Sequence, residues 1–268
     1  MMRSPIINVM DRAARRAGRA LARDFNEVQQ LQVSKKGSGN FVKAAIRKAE
    51  GTLKYELSKA RPTYGYYNSA DLQENIDNNN SHQWVVRALD GTSNYMHGQP
   101  HFSISIAHIE NKNLIESCVY DPLSEEFFWA IRNTGAFLND TRLRVSNRQN
   151  LNECIIATEM PFMTNENHPH YLTALGAVIA NTGGVRTAGA PELDLAYLAA
   201  GRYDGYWSFD VSAKDIMAGT LLVRESGGFL ADQENKILNE SSDTIIASNG
   251  AIKDSLIECI CSGESFSS

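Results

Sequence analysis

A single stretch limits what this chain can become: Trp84-Val85-Val86-Arg87-Ala88-Leu89-Asp90-Gly91-Thr92-Ser93-Asn94-Tyr95-Met96-His97-Gly98. Its apolar opening reads as a buried strand. The strand runs straight into a carboxylate, a glycine and a hydroxyl. At a strand end these groups suit a cation and a phosphate. The carboxylate offers hard oxygen ligands, the glycine lets the backbone approach an anion closely, and the hydroxyl can orient a water. Asp-Gly is also a common turn pair, so the triplet by itself leaves turn and site both open.

The surrounding pattern predicts layers. Residues 3–31 carry Ile6, Ile7, Met10, Ala13, Ala14, Ala17, Ala20 and Leu21 at helical steps, with Arg12, Arg15, Arg16, Arg19 and Arg23 between them. This is an amphipathic helix, not a secretory signal. Its basic face reads as solvated surface, with a partner-contact surface as the alternative. Residues 34–40 are polar and flexible, with Lys35-Lys36 as solvated charge, and 41–60 are helical again. Residues 61–82, rich in tyrosine and asparagine, read as an irregular loop. Strands are expected at 84–86, 102–109, 114–120 and 126–131, and again at 153–158, 184–187, 203–208 and 243–248. Helices are expected at 168–182, 191–201, 213–226 and 250–261, the third stopped by Gly227-Gly228. An antiparallel-looking first half followed by an alternating second half implies stacked sheet and helix, α+β then α/β. No internal repeat is visible.

Length and charge exclude several classes. The 268 residues suit one domain or two tightly joined halves, and 43% apolar content is ordinary for a globular chain. A net charge of -5 gives no reason for a nucleic-acid partner. No apolar run approaches a membrane span. Cys118, Cys154, Cys259 and Cys261 lack zinc-type spacing and read as reduced thiols of a cytoplasmic protein.

The Trp84–Gly98 segment resembles the inositol monophosphatase family, including its bacterial extragenic-suppressor branch. That family reads tryptophan, two aliphatics, Asp-Pro-x-Asp-Gly-Thr, a small polar residue, Asn, an aromatic, any residue, His-Gly. The likeness continues through Tyr120–Phe127, Gly135–Asn139, Leu143–Ser146, Arg186–Ala190, Leu193–Asp204, Asp215–Gly219 and Arg224–Gly228. It implies a layered αβαβα sandwich of the sugar-phosphatase type in a single domain, with halves at about residues 1–148 and about 149–268. It also implies a magnesium-dependent phosphomonoesterase, in which carboxylates from three segments hold Mg²⁺ ions that clamp the phosphate and activate a water. Carried over by resemblance, Asp90 and Thr92 are catalytic. Gly91, Thr92, Gly189, Ala190 and Asp215 meet the substrate, and Asp90 and Asp215 ligate metal. Ala190 lacks the hydroxyl that some members have there. His97 matches a structural histidine, with His101 close by, and Asp194 is expected to support a helix.

The pattern then breaks where metal should sit. Gly-Glu-Glu of the family is Gly65-Tyr66-Tyr67 here, and Asp-Pro is Arg87-Ala88. The early Thr and Asp of the family's Asn-aromatic-aliphatic-Thr-x-x-Asp motif are Lys43 and Ile46, after Asn40. The tryptophan before the last aspartate is Lys214, and a glutamate that meets substrate hydroxyls is Ser208. Tyr66 and Tyr67 read as loop aromatics packing on the core. Asp71, Glu74 and Asp77 are either solvated or replacement ligands. Arg87 cannot lose its charge. At about 4 Å and surface-like dielectric each unit-charge term is about 4 kcal/mol, and a divalent ion doubles it. The expectation is that Arg87 takes the metal's place and pairs with Asp90, Asp215 or both, and that Mg²⁺ binds weakly or not at all. Two readings follow. In one, the scaffold is catalytically weak or inactive and serves binding or regulation, with the resemblance implying a protein partner in transcription or RNA processing. In the other, it is a weak Mg²⁺-dependent phosphatase acting on a small phosphorylated polyol such as inositol 1-phosphate. Homodimerisation is expected by resemblance in both.

Overall fold

The computed structural model describes residues 3–31, 38–69, 80–161, 168–209, 211, 215–236, 238, 242 and 244–261. Helix α1, Pro5–Leu31, starts where the sequence supplies a cap. Ser4 Oγ accepts the Ile7 N–H at 3.0 Å, and Pro5 occupies the first helical position, where no N–H is needed. Its stripe of Ile7, Met10, Ala13, Ala14, Ala17, Leu21, Phe25 and Val28 is buried. Helix α2, Ser38–Ala60, buries Val42, Ala45, Ala49, Leu53 and Leu57. Four arginines of α1 pair with acids within the chain: Arg16 and Arg12 flank Glu56, Arg15 pairs with Asp11, and Arg23 pairs with Asp24.

The first sheet runs in the order β1 (Gly65–Asn68), β2 (His82–Asp90), β3 (Ser103–Glu110), β4 (Asn113–Asp121), β5 (Glu126–Ile131), β6 (Gly135–Leu138) and β7 (Thr141–Arg142). Strand β1 is parallel to β2, and the other neighbours are antiparallel. The helix α3, Thr92–Met96, lies between β2 and β3 in sequence. After a 3₁₀ turn at Leu151–Glu153, the second half supplies β8 (Ile155–Thr158), α4 (His168–Asn181), β9 (Gly184–Arg186), α5 (Pro191–Ala199), β10 (Gly205–Phe209), α6 (Met217–Glu225), β11 (Gly228–Ala231), β12 (Thr244–Asn249) and α7 (Lys253–Cys261). Its five-stranded sheet has the order β11-β12-β10-β8-β9.

Alternation along the strands sets the layers, because successive side chains leave a strand on opposite faces. Phe127 and Trp129 join the core under α1 and α2, while Phe128 and Ala130 join the core around α5 and α6. On the second sheet, Tyr206 and Ala247 face that same middle core, while Trp207 and Ile246 face α4 and α7. The stack is therefore α1/α2, first sheet, α5/α6, second sheet, α4/α7. The layered α/β fold expected from the sequence is the one observed. Helix α1 lies close on the sheet at Gly18, where a Cβ would stand 2.6 Å from the Tyr120 ring.

Corrections concern short pieces. The segment expected to be an irregular loop contains β1 at Gly65–Asn68, held by parallel pairing to β2. Tyrosine-rich sequence tolerates either state, and pairing with an already formed neighbour decides it. Strands β6, β7 and β11 were not expected, because each is too short to show a period. Residues 38–40, expected to belong to a flexible stretch, instead open α2; residues 34–37 and the replacement-ligand candidates Asp71, Glu74 and Asp77 lie outside the described residues. No described helix is long and apolar enough to cross a membrane. Cys118, Cys154 and Cys259 are buried and Cys261 is half-buried.

Candidate functional site

Strand β2 carries Asp90 to the end of the first sheet, where its register against β3 slips between Arg87 and Asp90. Gly91 follows with φ 78°, the left-handed region that favours glycine. A Cβ there would lie 2.7 Å from the His101 carbonyl oxygen and 3.1 Å from Ala190 Cβ. The turn therefore excludes any side chain on two counts, angle and space. Helix α3 starts at once, and the Asn94 side-chain amide donates to the carbonyls of His101 at 2.7 Å and Ala188 at 2.6 Å. That one amide ties the loop after α3 to the loop before α5. A cleft of about 560 Å³ opens between them, with Arg87, Asp90, Thr92, Glu159, Gly189 and Asp215 among its lining residues.

Asp90 is 1% exposed. Its Oδ2 accepts the backbone N–H of Glu192 at 3.0 Å and of Leu193 at 3.4 Å, at the amino end of α5 where free N–H groups favour an anion. Its Oδ1 is buried without a hydrogen-bond partner. Burial pushes the carboxyl up to about 6, with the Arg87 charge opposing and Asp194 adding to the rise. Arg87 donates from Nη2 to Asp215 Oδ1 at 2.5 Å, and its Nε is buried without a partner. Of the two aspartates expected to receive the guanidinium, Asp215 does so and Asp90 is held by α5 instead.

A further acid stands in the cleft. Glu159 follows β8, lines the cavity, and has a buried Oε1 with no partner. Burial pushes its carboxyl up to about 8; the charges of Asp90 and Asp194 add to this and Arg87 opposes it. Sequence reasoning passed over it, although the signal was the one used for Asp90: an acid just after a short apolar strand. Behind the cleft wall, the Glu192 carboxylate accepts the N–H groups of Ala218 and Gly219 at the start of α6. Burial, then Asp90, push it up to about 7.

This arrangement, an aspartate turned by a left-handed glycine into a helix and a second aspartate ahead of α6 across the cleft, coincides with a family-wide match. The signature of the inositol monophosphatase family spans residues 2–264. The chain belongs to that family. It is 44% identical over 260 residues to a protein named Inositol-1-monophosphatase from Rhizobium meliloti, covering 97% of each chain. It is 40% identical over 231 residues to Nus factor SuhB of Pseudomonas aeruginosa, covering 85% of each. The crystal structure of the extragenic suppressor protein suhB from Bartonella henselae superposes with a TM-score of 0.86 at 43% identity, over 96% of this chain and 98% of that one.

Within this inositol monophosphatase family member, Asp90, Gly91, Thr92, Gly189, Asp215 and Arg87 line one cleft, and the substituted positions Tyr66, Tyr67, Ile46 and Ser208 are not among its described lining residues. Tyr66 and Tyr67 sit on β1 and line a separate cleft of about 480 Å³ with Arg47, Glu50 and Lys54. Burial, with Glu50 adding, raises the Tyr66 phenol above its ordinary value. Ile46 packs on the core under α2. Ala190, expected to meet substrate, is fully buried as the residue before α5, behind Gly91, because the tight turn needs a small neighbour there. Ser208 is buried and donates to the Phe209 carbonyl. His97 ends α3 on the surface. His101 Nε2 lies 3.0 Å from Asp194 Oδ1, inside the first turn of α5. Lys214 lies outside the described residues.

Proposed function

We propose that this inositol monophosphatase family member keeps the phosphomonoester-hydrolase scaffold as a single domain but turns over phosphomonoesters weakly or not at all, acting chiefly in binding or regulation. The observation that carries this is the Arg87–Asp215 pair at 2.5 Å inside the cleft. A guanidinium permanently neutralises one of the two surviving acids. Magnesium gives up its waters reluctantly and asks for several anionic oxygens in octahedral array. Among the described residues no group of three or more His, Cys, Asp or Glu side chains converges to hold a metal ion. The donor set therefore does not fit a cluster of magnesium ions. Asp90 and Thr92 are the catalytic positions of this reading, Gly91, Thr92, Gly189 and Asp215 the substrate contacts, and Asp90 and Asp215 the remnants of the metal set. The relatives named Nus factor SuhB support a protein partner in transcription, and homodimerisation and a cytoplasmic location belong to the same proposal.

A second reading is supported by the unpartnered Asp90 Oδ1 and by the relatives named Inositol-1-monophosphatase: a slow Mg²⁺-dependent phosphatase on inositol 1-phosphate. The test is phosphate release from inositol 1-phosphate with Mg²⁺, wild type beside Asp90→Asn. Turnover in the wild type that vanishes in the variant establishes the enzyme and ends the first reading. Activity gained only on combining Tyr66→Glu, Tyr67→Glu, Arg87→Asp and Ile46→Asp supports it.

A further inference from the structure

The second cleft lies along the free edge of the first sheet. Strand β1 is outermost there, paired on one side with β2 and with no strand on its other side among the described residues. An open strand edge presents a row of N–H and C=O groups that another chain can match. The recess of about 480 Å³ follows that edge, because it touches the consecutive residues Tyr66, Tyr67 and Asn68. Tyr66 packs on the core under α1 and α2, whereas Tyr67 packs on Val85, Ala107 and Ile109. The two rings therefore leave β1 on opposite faces, and only a groove at the strand's edge reaches both. The facing wall is α2, through Arg47, Glu50, Gly51 and Lys54. Arg47, Gly51 and Lys54 are exposed. Lys54 lies 5.8 Å from the centre of the Tyr66 ring, and neither cation has an ion pair among the described residues. A Cβ on Gly51 would meet no atom within 4 Å, so the helix wall between the two cations is open.

We propose that this groove docks an extended acidic segment of a partner protein, which adds as a strand beside β1 and sets its carboxylates against Arg47 and Lys54. Backbone pairing supplies the affinity, and charge chooses the segment. The wall carries two cations against the single acid Glu50, so an acidic strand is favoured over a basic one. Nucleic acid fits less well. Two cations neutralise few phosphates, and a sugar–phosphate chain cannot match the strand's alternating donors and acceptors. The groove is distinct from the Asp90 cleft, and the proposal stands or falls apart from any turnover there.

The experiment is fluorescence anisotropy of the full chain at low salt with a labelled peptide of three Glu-Val repeats. Peptides of three Lys-Val or three Glu-Pro repeats and single-stranded oligo-uridine are titrated beside it. The expected result is that the Glu-Val peptide binds at least about tenfold more tightly than either other peptide, since one reverses the charge and the other removes alternate N–H donors. Arg47→Glu combined with Lys54→Glu lowers that affinity at least about tenfold, and Glu50→Gln raises it about threefold. Gly51→Phe blocks the groove from α2 at an exposed helical position where glycine is a poor helix former, so it costs about tenfold in affinity with an unchanged circular dichroism spectrum. No binding of the Glu-Val peptide, equal affinity for the Lys-Val or the Glu-Pro peptide, tighter binding of oligo-uridine, or wild-type affinity in Gly51→Phe would each overturn the proposal.

Discussion

Two of the polar regions in this molecule are finished to different degrees. Across β2, β3 and β4, His82 Nδ1 lies 3.2 Å from His108 Nε2, His108 Nδ1 lies 3.1 Å from Glu116 Oε2, and Ser4 Oγ donates to Glu116 Oε1 at 2.5 Å. The Tyr64 ring stacks on both imidazoles at 4.6 Å and 5.3 Å. The row connects the cap of α1 to the sheet, and both carboxylate oxygens of Glu116 are taken. Around Asp90 the opposite holds, with three buried atoms left open. A completed network rigidifies the structure around it, whereas unmatched buried polar groups carry an unreturned desolvation cost. Burial and charge alone would not have told them apart.

Breaking the completed row should have the largest effect. Glu116→Ala leaves buried His108 and the α1 cap without their acceptor, and chemical denaturation should show a loss of about 3 kcal/mol. At the cleft the sign reverses. The Glu159 carboxyl, raised to about 8, holds its proton in the fold at a pH where the unfolded chain has released it. Its contribution therefore falls as pH rises from the ordinary glutamate range towards 8. Glu159→Gln should stabilise the protein by about 1–2 kcal/mol at about pH 9 and by little at about pH 5, read from denaturation midpoints at both. Arg87→Ala removes a partly exposed ion pair and should cost less than about 1 kcal/mol in the same assay. The smallest effect is expected from Mg²⁺ on the wild type. Millimolar metal should leave the melting temperature within about 1 °C, and a clear rise would count against the displacement of metal by Arg87.

The layers were legible because long helices and strands repeat their period often enough to show a face. Residues 3–31 and 102–109 are the clearest cases. The strand at 65–68 was missed because four residues carry no period and owe their state to β2. At the cleft, the motif located Asp90, Gly91 and Asp215, and charge reasoning anticipated a guanidinium against an aspartate. Which aspartate receives it depends on the amino end of α5, a contact 102 residues away in sequence. Glu159 carries the same local mark as Asp90, an acid just after a short apolar strand, but that β8 of the second sheet ends beside the cleft is a tertiary fact that linear spacing does not carry.

The Gly91 turn has a consequence for how such a site can change over time. Backbone angle and crowding forbid variation at that one position, yet neither depends on the charges that surround it. Shape and reactivity are thus specified by separate residues. A descendant of this chain can change the charge of the recess at Arg87 or Glu159 while the turn that forms it is inherited untouched.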